Sequence, residues 1–76
     1  MADYYPLIAK AATGFQTAQD RQILYERGRN ALLAELKAVA PPLSRSIITN
    51  EVIAFDEAIR KVEAEIVRRA SEQGGG

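Results

Sequence analysis

Tyr4, Tyr5, Glu63, Glu65 and the arginines on either side of Gly28 are the side chains of this 76-residue sequence whose type and spacing could do chemistry. Acid–base work needs a pair of titratable groups converging on one point. Glu63 and Glu65 are two positions apart, which on a helix puts them on different faces and makes them poor partners. With no histidine and no cysteine in the sequence, imidazole-based triads, thiolate nucleophiles and the Glu-x-x-His motifs of di-iron bundles have nothing to build on. Neither a phosphate loop nor a dinucleotide fingerprint is present, and the glycines at 74–76 are followed by no helix that would present amides to a phosphate. A tyrosine or lysine could act alone, but a chain this small leaves little room for a shielded pocket. The expectation is a protein that is not an enzyme and needs no cofactor or metal.

The elements that must position these residues follow from punctuation and periodicity. In "DYYPLIAKAATGF", Asp3 is a good N-cap, Pro6 falls in the first turn where a missing N–H costs little, and Gly14 is a natural stop. Leu7, Ile8 and Ala11 follow at helical spacing, so a short helix over about 4–13 is expected. Tyr4 and Tyr5 then sit in its first turn, where their rings can pack back onto the body with the hydroxyls in water. The other use of this pair is an exposed aromatic contact for a partner.

A second helix over about 18–39 begins at Thr17, with Asp20 three residues on, and ends before Pro41 and Pro42. Its apolar stripe reads Tyr25, Leu32, Leu36 and Val39, widened by Leu24, Ala31 and Leu33. Gly28 interrupts it at a cost of about 1 kcal/mol relative to alanine. The glycine either admits another backbone between Arg27 and Arg29 or is simply tolerated on a helix held by packing, the favoured reading.

The third helix, over about 45–71, is capped by Ser44 or Ser46. Ile48, Val52, Phe55, Ile59, Val62 and Ile66 alternate spacings of four and three, which is a heptad seam. Asp56 with Arg60, Glu57 with Lys61 and Glu65 with Arg69 are i,i+4 pairs suited to a solvated face. Residues 1–72 thus form one domain, with 73–76 a flexible glycine-rich tail.

Ten basic and ten acidic residues cancel overall, and neither half of the chain offers the basic field that nucleic-acid binders show. No apolar run approaches the roughly 18 residues of a membrane span, so no membrane insertion by this chain is expected and a cytoplasmic protein is. Domains below roughly 70–80 residues often need a staple, and without cysteine or histidine the available one is a second copy of the chain.

The wording of "ADYYPLIAKA", "LYERGRNALLAEL", "PPLSRSIIT" and "DEAIRKVEAE" resembles an uncharacterised family of short helical modules from rhizobial-type alphaproteobacteria, over Ala2 to about Arg69. The resemblance implies a bacterial module, often N-terminal and in some cases ahead of a membrane-associated portion. It also implies alanine where this chain has Gly28, and brings no catalytic residue with it.

These readings converge on an all-α fold: an antiparallel helical hairpin of two long helices with a short N-terminal helix packed across it. The expected function is an interaction or oligomerisation module, as a homo-oligomer (a dimer favoured) or with a helical protein partner. Its candidate interface is Tyr4, Tyr5, Leu24, Gly28, Leu33, Ile53 and Val67. The alternative is a small regulatory protein that binds nucleic acid or a toxin-like partner through the Arg27/Arg29 edge.

Overall fold

The computed structural model describes residues 3–74, and among them the chain forms three α-helices and no strand. They are α1 (Tyr5–Ala12), α2 (Ala18–Lys37) and α3 (Arg45–Gly74). At about 1.5 Å per residue α3 alone is roughly 45 Å long, and it sets the long axis of a molecule measuring 54 × 19 × 15 Å.

Local signals account for most of the helix ends. The Thr17 hydroxyl accepts from the Asp20 amide at 3.1 Å and starts α2. Ser44 starts α3, its hydroxyl accepting from the Ile47 amide at 3.2 Å. Two ends differ from expectation. Asp3 does meet a free amide, that of Tyr5 at 3.1 Å, but the cap position of α1 is Tyr4, which keeps helical dihedrals. Gly14 is not the stop: α1 ends at Thr13, whose hydroxyl donates to the Lys10 carbonyl at 2.7 Å, and no glycine among the described residues has a positive φ. The expected tail is shorter than the sequence suggests, because α3 includes Gln73 and Gly74; Gly75 and Gly76 lie outside the described residues.

Helix α3 is the platform on which the other two pack; α1 and α2 meet each other only marginally. So α1 packs on both long helices, chiefly on α3 and more lightly on α2. The core consists of Ile8, Ala12, Phe55, Ala58 and Val62, ringed by Tyr4, Tyr5, Ala9, Tyr25, Leu32, Ile59 and Ile66. The heptad seam is therefore real from Phe55 to Ile66, whereas Ile48 and Val52 are half-buried and stand outside this cluster. Ala58 is buried off the seam because α3 has to serve two neighbours at once. Its Ala58 and Lys61 flank faces α1, and its Ile59 and Glu63 flank faces α2.

Gly28 has a specific job in this packing. A Cβ built on it would lie 3.0 Å from Cζ of Phe55, so the glycine makes room for that ring. The close approach is to a side chain of the same chain, not to another backbone. The ring cannot retreat freely, since Tyr4 meets it edge-on with centroids 5.6 Å apart. Overpacking a tight site costs about 1–3 kcal/mol. Gly28→Val is expected to lose stability in that range in urea unfolding followed by circular dichroism. Gly28→Ala should gain less than the roughly 1 kcal/mol that helix propensity alone would give.

Candidate functional site

The side chains that looked capable of chemistry converge on α3, where Glu51, Asp56, Glu63 and Glu65 are each bonded to a group from another part of the chain. The Tyr4 hydroxyl donates to Glu51 at 2.5 Å and the Tyr5 hydroxyl donates to Glu65, so the hydroxyls are bound rather than wet. Lys61 Nζ lies 4.6 Å from the centre of the Tyr5 ring, a cation–π contact. Arg29 pairs with Asp56. Asp56 and Glu65 are thus drawn to other helices instead of to Arg60 and Arg69. For Glu65 the reason is energetic: an exposed i,i+4 pair is worth only about 0.2–0.5 kcal/mol, less than a hydrogen bond to a charged group in a partly buried site.

The most densely bonded cluster centres on Arg21, which the periodicity reading passed over. Its side chain is buried, and its Nε and Nη2 donate to the two oxygens of Glu63 at 2.7 and 3.2 Å. Its Nη1 donates to the carbonyls of Gln16 at 3.2 Å and Phe15 at 3.4 Å. The Tyr25 hydroxyl adds a third donor to Glu63 at 2.5 Å. Extending the Tyr25–Leu32 stripe back by one turn reaches Arg21, so the signal was a charged residue in line with an apolar face. Glu63 and Glu65 do lie on different faces, one towards α2 and one towards α1.

At neutral pH this arrangement keeps Glu63 ionised and the phenols protonated. Its Arg21 partner, and then the Tyr25 hydrogen bond, hold Glu63 below its ordinary 4.5 against the opposing effect of burial. Burial and then the Glu63 hydrogen bond push the Tyr25 phenol up. Tyr4 is pushed up to about 12 by burial and by Glu51, and Tyr5 is raised chiefly by its hydrogen bond to Glu65. A general base works best with a pKa near the operating pH, and these shifts run away from neutrality in both directions. Among the described residues no three acidic side chains gather as a metal site would require, and no helix is long and apolar enough to cross a membrane.

Beyond these clusters, the remaining features are surfaces. The candidate interface residues do not form one surface. Leu24 and Leu33 are nine positions apart, which at about 100° per residue sets them on opposite sides of α2. Ile53 and Val67 share the outer face of α3 with Arg60 between them, about 21 Å apart along the axis. Tyr4 and Tyr5 are half-buried against the core as anchors.

What the structure does bring together is an apolar notch between α1 and α2. Leu7, Ile8 and Ala11 form one wall, Leu24 and Gly28 the other, and Phe55 the floor. Its volume is about 100 Å³, below the roughly 300–1,000 Å³ of small-molecule sites. It is a hole of side-chain size, and Leu7 stands 66% exposed on its rim. Comparison with models of protein families, with curated proteins and with solved structures gives no match. The resemblance to rhizobial modules rests on the wording of the sequence alone.

The pKa shifts give the cluster a pH signature. Glu63 is lowered on folding, so the stability it contributes is complete above its ordinary value and lost as pH falls through the folded one. The tyrosines are raised, so theirs is complete below pH 10 and lost as pH rises towards and beyond about 12. The urea midpoint should be flat between about pH 5 and 9 and fall on both sides. Glu63→Gln should flatten the acid limb and, by giving Arg21 a neutral acceptor in place of a charged one, cost about 1–3 kcal/mol at neutral pH.

Proposed function

We propose that this chain is a non-enzymatic cytoplasmic module that associates with a second copy of itself, placing an apolar side chain of one copy in the α1–α2 notch of the other. In this reading α2 and α3 are the arms of an antiparallel hairpin. The contacts that support it run in opposite directions along the two helices, from Arg21 with Glu63 to Gly28 with Phe55 and Arg29 with Asp56 about two turns on.

The observation that carries the proposal is the pairing of hole and knob. Leu7 both rims the notch and protrudes beside it, so the two complementary shapes lie on one patch, as a two-fold interface requires. A small core gives the association a reason. Five apolar residues are buried among those described, two of them alanines, and no large side chain is fully enclosed. A helical partner of different sequence would use the same hole. The nucleic-acid reading relied on Arg27 and Arg29 together, and Arg29 is held by Asp56.

Light scattering behind a sizing column across a dilution series tests the proposal. The unmodified chain should show a concentration-dependent dimer. Leu7→Asp should weaken it by about a hundredfold or more, since burying a leucine contributes about 1.5–3 kcal/mol and a symmetric interface loses two. Helix content and thermal midpoint should be unchanged, because Leu7 is exposed in the single chain. A monomer at every concentration would overturn self-association.

A further inference from the structure

The flank of α1 opposite the notch carries a second and larger groove, of about 580 Å³, between α1, the α1–α2 loop and the C-terminal half of α3. Ala12, Val62 and Ile66 form its apolar floor, Phe15 its outer wall, and Lys10 and Arg69 stand at its rim. Its size falls inside the roughly 300–1,000 Å³ range of ligand sites, and its make-up is the usual one of an apolar surface with a few polar groups.

Charge indicates what it takes. Lys10 and Arg69 have no carboxylate within ion-pair distance among the described residues. The acid lining the groove is Glu65, whose carboxylate already accepts the Tyr5 hydroxyl. Arg21 also lines it, but its guanidinium is occupied by Glu63 and by the loop carbonyls. Two cations therefore face one carboxylate across a greasy floor. We infer that this groove binds a small amphipathic carboxylate, its alkyl chain on Ala12, Val62 and Ile66 against Phe15 and its carboxylate between Lys10 and Arg69. The stems of both cations can lie along the apolar floor while their charged ends reach the anion.

The half-exposed Phe15 supports this placement. It is 39% exposed in the middle of the loop, and Arg21 fixes the backbone there by binding its carbonyl. A large aromatic held at the mouth of an apolar groove by a bonded backbone gives an alkyl chain a wall that a free loop would not.

The test is a two-dimensional NMR titration of the whole chain with octanoate, 1-octanol and acetate at neutral pH. Octanoate should shift the amides of Ala12, Phe15, Val62 and Ile66 saturably, and acetate should not. Each rim cation is worth about two- to five-fold in affinity at an exposed site. Octanol and the Lys10→Gln/Arg69→Gln double variant with octanoate should therefore each bind on the order of tenfold more weakly, the variant keeping its thermal midpoint. Added salt should weaken octanoate and leave octanol unaffected. Equal affinity for octanoate and octanol, an unchanged double variant, shifts centred on Leu7 and Leu24, or no saturable shift at all would each overturn the inference. None of these outcomes bears on dimerisation through the notch, which the light-scattering series decides separately.

Discussion

The rest of the structure depends on the guanidinium of Arg21. A buried cation is tolerated only when its donors are met, because an unpaired charge removed from water costs several kcal/mol. Arg21 finds both oxygens of Glu63 on α3 and two carbonyls of the α1–α2 loop. One side chain thus ties α2 to α3 and to the loop that leads from α1. It also sets the register of α2: with Arg21 at Glu63, one turn on brings Tyr25 to the same carboxylate, and the next brings Gly28 under Phe55 and Arg29 to Asp56. Once desolvation is counted a buried ion pair adds little net stability. Its contribution here is a single alignment of two long helices that apolar burial alone would let slide.

The same reasoning explains what could be read from the sequence. Helix number, the caps at Thr17 and Ser44 and the α3 seam from Phe55 to Ile66 were legible, because each is a local pattern of residue types. The uses of the charges were not. Asp56, Glu65 and Lys61 have ideal neighbours on their own helix, and only the tertiary arrangement offers the better ones. Gly28 was ambiguous for a related reason. A glycine in a helix records that something needs space but not what, and the Phe55 ring is 27 positions away in the sequence. Arg21 was missed because a rule that searches for apolar residues skips a charged one on the same stripe.

The candidate interface was legible only in part for a geometric reason. Counting surplus apolar residues on each helix gave Leu24, Leu33, Ile53 and Val67 as one edge, but helical phase distributes them over separate surfaces. The recess that does form needed three elements at once. Leu24 and Gly28 supply one wall, α1 the other, and Phe55 the floor. Its main protruding residue, Leu7, lies on the helix whose sequence signalled little beyond an anchor.

Both recesses trace to the shape of α1. It is an eight-residue helix lying on one of thirty, so it can cover only a short length of α3. Its contact positions include Ile8, Ala9 and Ala12, and two of these three are too small to fill the space beside them. An alanine-rich helix sits close to its support but leaves its flanks open. On one flank the opening meets Leu24 and Gly28 and is apolar to its edge; on the other it meets Arg69 and Lys10 and is apolar only at its base. A bulkier α1, with leucine at Ala9 and Ala12, would hide more surface and stabilise the single chain. It would also stand further from α3 and pull Tyr4 and Tyr5 away from Glu51 and Glu65. The small residues and the tyrosine anchors thus belong to one solution. The helix is held at its first turn by phenol–carboxylate bonds instead of along its length by bulk, and open surface on both sides of it follows from that choice.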